Sequence, residues 1–271
     1  MTETCNLLAI SMTMNAICPL SQVPVRFEPS DSSEMVTQIL FGETFSILEE
    51  RGNWLLVRMH TDNYEGWIDR KQSMPVTDEF IEKTNESSNH IITEKTAVCY
   101  CKNDSTYLLL GKGSRLPQSA GSTFHLGNKA YTTISKTRAI PKKFSASKVA
   151  ATAMDYLNVP YLWGGRSIMG IDCSGLVQIV YHMCGFDLPR DSAQQALAGI
   201  AIDFVDEARP GDLAFFDNPA GEIIHVGIII EPGKILHASG QVKIDKIDHN
   251  GIFSLDQGVY THSLRIIKRL P

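Results

Sequence analysis

The chain lacks the features of a membrane protein or a nucleic-acid-binding protein. None of its 271 residues lies in an apolar run that approaches the roughly 20 residues of a membrane helix. It has no dense run of Lys or Arg, and its formal net charge of -5 argues against a large basic surface for nucleic acid or anionic lipid. We therefore expect no nucleic-acid partner, no membrane partner, and a small substrate of neutral or mixed charge.

The N-terminus lacks an export signal. Residues 1–10 carry no positively charged segment, and their apolar run is too short for the core of a signal peptide. The expected compartment is the cytoplasm, or the periplasm or the exterior if a leader has been removed.

Cysteine is present six times but never in the Cys-x-x-Cys spacing of zinc and redox sites. Cys99 and Cys101 are separated by one residue, so on a strand they point the same way. Because the chain is long and shows no export signal, we do not expect disulfides. We interpret three further cysteines as buried small hydrophobes, namely Cys5, Cys18 and Cys184.

The remaining cysteine, Cys173, lies in the stretch Ile171-Asp-Cys-Ser-Gly-Leu176. Apolar residues recur after it at helical spacing, at Leu176, Val177, Ile179, Val180, Met183 and Cys184, and Gly185 follows where a helix would end. Cys173 is therefore predicted to open a buried helix. Unpaired backbone N–H groups and the positive end of the helix dipole favour a thiolate there, and the same groups can hold an oxyanion.

Residues 1–75 are predicted to form a small all-β module. Alternating apolar residues, separated by turn residues, mark strands over Val23–Phe27, Met35–Leu40, Phe45–Leu48 and Trp54–Met59. We interpret Trp54 and Trp67 as aromatics of a barrel core or rim. The segments Leu40-Phe-Gly-Glu43, Gly52-Asn-Trp-Leu-Leu-Val57 and Tyr64-Glu-Gly-Trp-Ile68 resemble bacterial SH3-like domains.

Residues 76–140 are predicted to form a second module of the same kind. The polar stretch Glu82–Asn89 predicts an exposed connection or an irregular loop. Short β-like segments with Gly and Pro punctuation follow at Thr96–Tyr100, Thr106–Leu110, Gly113–Pro117 and Lys129–Ile134. These segments contain no paired acid and base, so we interpret the module as a scaffold.

Residues 141–271 differ from the two β modules, because segments with helical periodicity come before the predicted strands. After the Cys173 helix, Ser192-Ala-Gln-Gln195 has the Ser-x-x-Gln spacing of a capping box. Alternation then predicts antiparallel strands over Asp212–Phe216, Ile223–Ile230, Lys234–Ala238, Val242–Ile247 and Leu264–Leu270. The fold class is therefore α+β, an arrangement in which a cysteine on a helix can face histidines on a sheet.

Two histidines, His225 and His237, lie on strands that one hairpin joins. If Glu231-Pro-Gly233 forms a three-residue loop with Gly233 in the left-handed conformation, His237 lies opposite Gly227 and diagonal to His225 on one face. A register shifted by one residue would separate the two rings. In the expected geometry His225 takes the proton of Cys173 and His237 fixes the tautomer of His225.

The other histidines have no comparable setting. We interpret them as surface or packing residues: His60, His90, His125, His182, His249 and His262.

The C-terminal region resembles the NlpC/p60 family of papain-like cysteine peptidases, which cleave the peptide stems of bacterial cell walls. The resemblance rests on Asp-Cys-Ser-Gly-Leu, Arg209-Pro-Gly-Asp-Leu213, His-Val-Gly-Ile and His-Ala-Ser in one order. The full arrangement, with two SH3-like modules before such a domain, resembles that of γ-D-glutamyl-L-diamino acid endopeptidases. The resemblance implies that Cys173 is the nucleophile, His225 the base and His237 the orienting residue.

The same resemblance implies a substrate and the residues that bind it. The substrate is a cell-wall peptide, L-Ala-γ-D-Glu-L-diaminopimelate with a free N-terminal L-Ala, and the cysteine mechanism uses no cofactor and no metal ion. Tyr161 in Pro160-Tyr-Leu-Trp-Gly-Gly165 matches a tyrosine that lines the oxyanion site. Glu43 and Tyr64 of the first SH3-like module are expected to close the N-terminal end of the cleft. The remaining pocket residues are expected to be Ser174, Trp163, Arg190 and Ser192.

A free α-amino group in a closed site is a buried cation that needs an acid near it. Asp172, adjacent to Cys173, is predicted to supply that acid together with Glu43. Arg190 can also pair with the α-carboxylate of D-Glu.

Two alternatives remain open from the sequence. One is a module that binds wall peptides with the SH3-like domains, in which the C-terminal domain is a degenerate scaffold. The other is a zinc hydrolase that uses Cys173, His225 and His237 as ligands.

Overall fold

The computed structural model describes residues 14–86 and 90–271. The prediction for Cys5 lies outside these ranges. Within them, the structure contains no helix that is both long enough and apolar enough to cross a membrane.

The first module is a seven-stranded antiparallel sheet in the order β3-β2-β6-β5-β4-β1-β7. Its strands are β1 (Met14–Ile17), β2 (Gln22–Arg26), β3 (Met35–Leu40), β4 (Thr44–Arg51), β5 (Trp54–Met59), β6 (Glu65–Asp69) and β7 (Met74–Val76). Residues that alternate along these strands, such as Val23, Val25 and Leu55, form one buried cluster. Trp67 is buried and Trp54 is half-buried, as expected for aromatics of a barrel core and rim.

A helix, α1 (Asp78–Glu86), follows the first sheet where the sequence predicted an exposed connection. The Thr77 hydroxyl accepts a hydrogen bond from Phe80 N, and acidic Asp78 and Glu79 occupy the first turn at the positive end of the helix dipole. This helix has few apolar residues, so the hydrophobic periodicity of the sequence did not indicate it. Residues 82–86 are thus helical and not an irregular loop, and residues 87–89 are not described.

The second module consists of a four-stranded sheet in the order β10-β9-β13-β12 and a three-stranded sheet in the order β11-β8-β14. The strands are β8 (His90–Ile92), β9 (Thr96–Cys101), β10 (Tyr107–Gly111), β11 (Arg115–Leu116), β12 (Thr123–Leu126), β13 (Lys129–Thr133) and β14 (Thr137–Ala139). Their core includes Ile17 and Phe41 of the first module, so the two modules share apolar contacts. We propose boundaries between the units near residues 75 and 140.

The C-terminal domain places a buried helix against a sheet. Its first elements are α2 (Val149–Met154), β15 (Arg166–Ser167), β16 (Gly170–Ile171), α3 (Cys173–Met183) and α4 (Ser192–Gln195). The sheet that follows has the order β17-β23-β18-β19-β20-β21-β22. Its strands are β17 (Ile200–Ile202), β18 (Leu213–Asp217), β19 (Ile223–Glu231), β20 (Lys234–Ser239), β21 (Gln241–Asp248), β22 (Gly251–Ser254) and β23 (Val259–Arg269).

The helix α3 packs against β19 and β20, and its apolar side chains lie in one cluster with those of the sheet. The predicted strands agree with the observed ones within a few residues, except that β23 begins earlier than expected. This packing brings the N-terminal end of α3 to the strands that carry His225 and His237.

Candidate active site

Cys173 is the first residue of α3. Asp172 precedes it as the N-cap residue in an extended conformation, and its carboxylate accepts a hydrogen bond from Gly175 N at 2.7 Å. This arrangement leaves Cys173 where backbone N–H groups lack intrahelical partners. The helix begins where the apolar spacing predicted, and Gly185 follows its end with a φ of +88°.

The sulfur of Cys173 is a thiol at rest. Burial raises the pKa of this thiol to about 11, and the neighbouring Asp172 carboxylate acts in the same direction. Backbone hydrogen bonds from Val226 and Ser174, and the charge of Arg190, act in the opposite direction with smaller effect. Desolvation thus outweighs the helix terminus that led us to expect a thiolate, and the thiol needs a base to become a nucleophile.

His225 on β19 and His237 on β20 lie on one hairpin. Gly227 is the Cα partner of His237, which is the predicted register. A Cβ atom at Gly227 would lie 2.6 Å from Cδ1 of Ile235 and 3.0 Å from Cβ of His237, so the position opposite His237 has no room for a side chain. His237 is therefore the diagonal neighbour of His225.

The turn that produces this register differs from the prediction. The hairpin closes with the two residues Pro232 and Gly233, and Glu231 pairs with Lys234. Gly233 has a φ of +73°, as expected. A bulge between Ile229 and Glu231 adds one unpaired residue to β19. A two-residue turn without the bulge would place the two rings on opposite faces of the sheet. The unpaired residue shifts the register by one, so both rings lie on the same face.

A chain of hydrogen bonds links the two histidines to a carboxylate. His225 Nε2 lies 2.9 Å from His237 Nδ1, and His237 Nε2 lies 3.0 Å from Asp245 Oδ2. All three side chains are buried. Hydrogen bonding to His237, Leu255 N and Lys243 holds the pKa of Asp245 well below its usual value despite burial.

The sequence analysis missed Asp245, although the signal was present. His237 is the partner of Lys243 in the β20–β21 pairing, so Asp245 is its diagonal neighbour on the same face. The rule that connects His225 to His237 therefore also connects His237 to Asp245.

His262 on β23 was interpreted as a surface or packing residue without a comparable setting, and the structure places it against His225. The two rings stack with centroids 4.2 Å apart and an interplanar angle of 24°. Burial and the charges of His237 and Lys243 lower the pKa of His262 to about 4. Its position depends on the strand order, because β23 pairs with both β18 and β22 and so belongs to the same closed sheet as the strands of His225 and His237.

His225 is neutral at rest. Burial, together with the neighbouring rings of His237 and His262, holds the pKa of His225 well below 6.5. A neutral ring with one unprotonated nitrogen can accept the proton of the Cys173 thiol.

Most predicted site residues line one cavity of about 270 Å³. The cavity contains all of them except His237 and Glu43, namely Cys173, His225, Tyr161, Asp172, Ser174, Tyr64, Trp163, Arg190 and Ser192. Ser192 is the first residue of α4 and not its cap, which is Asp191. Asp191 and Glu34, which the sequence did not indicate, also line the cavity.

Asp172 is saturated with protein partners. Its oxygens accept hydrogen bonds from Arg190 at 3.0 and 2.5 Å, from Gly164 N at 2.9 Å and from Ser174 Oγ at 3.3 Å, in addition to the capping bond to Gly175 N. Its charge is balanced by Arg190, so a substrate amine gains little from this carboxylate. Arg190 is equally engaged, because its Nε donates to Thr37 of the first module.

Glu43, which was predicted to close the N-terminal end of the cleft, is not among the residues that line the cavity. Its side chain is buried and forms a two-point ion pair with Arg166 at 3.0 and 3.1 Å, and it accepts a bond from Leu40 N. Burying a carboxylate requires such a partner. Glu43 thus fastens the first module to the C-terminal domain.

Glu34 is the acidic residue of the first module that reaches the cavity. Its Oε1 accepts a hydrogen bond from Trp163 Nε1 at 2.6 Å. Gly164 permits this approach, because a Cβ atom there would lie 2.2 Å from Met35 O and its φ is +75°. Tyr64 lines the same side of the cavity.

Tyr161 stays protonated at neutral pH. Burial and the neighbouring Cys173 and Asp172 raise the pKa of its hydroxyl to about 12. The hydroxyl is therefore available as a hydrogen-bond donor beside Cys173.

The geometry does not favour the zinc alternative. Both ring nitrogens of His237 are in hydrogen bonds, Nδ1 with His225 Nε2 and Nε2 with Asp245 Oδ2, so neither is directed at an ion shared with Cys173. Within residues 14–86 and 90–271, no grouping of three or more His, Cys, Asp or Glu side chains has the arrangement of a metal site.

Comparison with known proteins assigns this site to a family. Residues 158–259 match the NlpC/P60 family, and residues 25–72 match the bacterial dipeptidyl-peptidase SH3 domain. A gamma-D-glutamyl-L-lysine dipeptidyl-peptidase of Bacillus cereus is 30% identical over 232 residues, which cover 77% of this chain and 68% of the relative. The chain belongs to the NlpC/P60 family. It is a cysteine peptidase with an α+β catalytic domain preceded by SH3-like β modules.

Two further proteins align with most of this chain. A gamma-D-glutamyl-L-lysine dipeptidyl-peptidase of Bacillus subtilis is 30% identical over 253 residues, covering 86% of this chain and 80% of the relative. The crystal structure of an NlpC/P60 family protein from Bacillus cereus aligns with a TM-score of 0.79 and 24% identity, covering 95% of this chain and 100% of the other. This structural match establishes the shared fold across all the modules.

Proposed function

We propose that this peptidase hydrolyses the bond between γ-D-Glu and an L-diamino acid in cell-wall peptides that have a free N-terminal L-Ala. The supporting observation is the cavity that holds Cys173 and His225, because its wall on one side comes from the first SH3-like module through Glu34, Val36 and Tyr64. Such a wall limits the length of peptide before the cleaved bond. The names of the Bacillus relatives, which are gamma-D-glutamyl-L-lysine dipeptidyl-peptidases, support the same bond.

In this mechanism His225 Nδ1 takes the proton of the Cys173 thiol as Sγ attacks the γ-carbonyl carbon. The oxyanion accepts hydrogen bonds from the N–H groups at the start of α3 and from the Tyr161 hydroxyl. His225 returns the proton to the leaving amine of the diamino acid, and a thioester to Cys173 remains. Water, deprotonated by His225, then hydrolyses the thioester and releases L-Ala-D-Glu.

The charges of the cavity support recognition of a free amine. Burial and the carboxylates of Asp172 and Asp62 raise the pKa of Asp191, while Arg190 opposes this. A substrate ammonium would relieve this excess of negative charge. We assign its binding to Glu34 and Asp191 in place of Asp172 and Glu43, because the latter two are already paired with buried arginines.

The diamino acid is proposed to be diaminopimelate or L-lysine. Both present the same α-amine as the leaving group, and they differ in the carboxylate at the end of the side chain. The relatives are named for the lysine peptide, so both peptides belong in the test.

Mass spectrometry of reaction products tests the proposal. L-Ala-γ-D-Glu-L-diaminopimelate and its lysine counterpart are incubated with the protein, each with a free or acetylated N-terminus. We expect release of the free diamino acid from the free-amine peptides only, and no release by Cys173→Ala. Equal cleavage of acetylated peptides would contradict the amine site, and absence of cleavage of all four would contradict the substrate.

Inhibitors separate the cysteine mechanism from the zinc alternative. Alkylation of Cys173 by iodoacetamide should abolish cleavage, whereas a chelator should leave it unchanged. Loss of activity with the chelator alone would contradict the proposed mechanism.

A further inference from the structure

The hydrogen-bonded chain behind Cys173 ends at a carboxylate that is itself held on both oxygens. Asp245 Oδ1 accepts a bond from Leu255 N at 2.8 Å. Asp245 Oδ2 receives His237 Nε2 at 3.0 Å and Lys243 Nζ at 3.2 Å. The side chain is 2% exposed, so water does not compete for these positions. The carboxylate therefore has one orientation relative to His237.

This orientation determines the proton positions along the chain. An ionised carboxylate only accepts hydrogen bonds, so His237 Nε2 must carry its proton toward Asp245. In the neutral ring Nδ1 of His237 is then the acceptor, and His225 Nε2 must donate across the 2.9 Å contact. His225 Nδ1 remains unprotonated, which is the state that a base for Cys173 requires.

We propose that Asp245 is a positioning residue that fixes the tautomer of His237 and, through it, makes Nδ1 of His225 the basic nitrogen. The proposal rests on the proposed function for the role of His225. It extends the predicted set of Cys173, His225 and His237 by one residue that touches neither the sulfur nor the substrate.

Other charged groups around this chain do not replace Asp245. Lys243 on β21 contacts the carboxylate and also pairs with Asp256 at 3.1 Å, so it donates and cannot accept from His237. His262 on β23 contributes a stacked ring, and its Nδ1 contacts Thr261 Oγ1 at 2.9 Å. Asp245 is thus the acidic partner of His237 in the described part of the chain.

Asp245→Asn is the informative variant because it preserves shape and reverses polarity. The asparagine oxygen can keep the bond from Leu255 N, and its NH₂ group then faces His237 Nε2 as a donor. His237 would carry its proton on Nδ1 and donate to His225 Nε2. His225 would then carry a proton on Nδ1, toward Cys173, and could not act as its base.

The first measurement is kcat and KM for the free-amine tripeptide. We expect Asp245→Asn to lower kcat at least about 100-fold, with a smaller change in KM, by analogy with the roughly 10⁴-fold loss for the wrong tautomer in a serine triad. Asp212→Asn is the matched control. Asp212 is similarly buried and is paired with Arg269 at 2.6 Å, away from the histidines, so its kcat should change less than about threefold.

The second measurement needs no substrate. The rate of Cys173 alkylation by iodoacetamide is followed against pH, and ¹H–¹⁵N correlation spectra of ¹⁵N-histidine protein report which ring nitrogen is protonated. We expect the wild type to show Nε2–H on both His225 and His237. In Asp245→Asn the proton should move to Nδ1, and alkylation at pH 7 should slow at least about tenfold.

These measurements separate the two proposals. If the wild type does not cleave the tripeptide, the proposed function fails while alkylation and spectra still test Asp245. If the tripeptide is cleaved but Asp245→Asn retains wild-type kcat, alkylation profile and tautomers, the role of Asp245 is refuted. A matching loss in Asp212→Asn would refute it equally, because the effect would then follow from removing any buried carboxylate.

Discussion

Arg190 binds both oxygens of Asp172 directly beside the proposed nucleophile, at 3.0 and 2.5 Å. Because Asp172 also caps α3, this ion pair orients the end of the helix that carries Cys173. Arg190 is 1% exposed and also donates to Thr37, so the same side chain connects the first module to the catalytic helix.

Arg190→Met should therefore damage both stability and catalysis. It leaves the Asp172 carboxylate buried without its cation, which typically costs about 3–5 kcal/mol. It also removes a charge that lowers the pKa of Cys173. Urea denaturation should show the loss, and the double variant Arg190→Met with Asp172→Asn should recover part of the unfolding free energy. Failure of the second change to restore any stability would contradict this explanation.

Glu43→Gln should lower stability without changing recognition of the substrate amine. Arg166 would lose its buried partner, so we expect a loss of about 3–5 kcal/mol in the free energy of unfolding. KM for the free-amine peptide, measured well below the melting temperature, should stay unchanged. Glu65→Gln removes an exposed ion pair with Arg58 in the same module and should change stability by less than about 1 kcal/mol. An increased KM in Glu43→Gln alone would contradict this expectation and would indicate that Glu43 binds the substrate.

Glu34→Gln should show the opposite pattern. The residue is exposed and lines the cavity, so the stability change should be within about 0.5 kcal/mol. Loss of a charged partner for the substrate ammonium should raise KM roughly tenfold or more. Glu28→Gln, an exposed change on the same loop, serves as the control and should leave KM unaltered. Steady-state kinetics on the free-amine tripeptide decide between these outcomes.

His262→Leu should move the acid limb of the pH–rate profile to higher pH. The His262 ring helps to hold the pKa of His225 low, and only neutral His225 can take the thiol proton. Without that ring the pKa of His225 rises, so activity is lost earlier as the pH falls. His125→Leu changes an exposed histidine of the second module and should leave the profile in place. An unchanged acid limb in His262→Leu would show that stacking does not affect the base.

Cys173 should make the folded protein less stable in alkaline solution. Its pKa is about 11 in the folded state and 9.0 without the protein environment, so between these values the unfolded chain binds fewer protons. Stability therefore falls as the pH rises through that window. Cys173→Ser does not titrate there, and its melting temperature should decline less steeply between pH 8 and pH 10.5. Parallel declines in the two proteins would contradict the raised pKa.

Local periodicity was sufficient to predict two parts of the site. Apolar residues at helical spacing placed Cys173 at a helix start, and strand alternation with a Gly-containing turn placed His237 opposite Gly227. The predicted register is observed although the turn has two residues and not three. The bulge adds the third residue to β19, and because side chains alternate with a period of two, both rings then lie on the same face. The same diagonal rule was sufficient to find Asp245, but it was not applied to the next strand.

Contacts between residues that are distant in the chain could not be predicted from periodicity. Glu34 and Trp163 are 129 residues apart in the chain, and no periodicity relates them. Glu43 and Asp172 were both predicted to bind the substrate amine, yet each is paired with a buried arginine. Arg166 of the C-terminal domain pairs with Glu43 of the first module, and Arg190 pairs with Asp172 within the C-terminal domain. His262 reaches His225 through the order of the strands in the sheet. The cost of burying a charge, the packing of one module on another or the order of the strands selects the partner in these cases, and none of these is encoded in local sequence spacing.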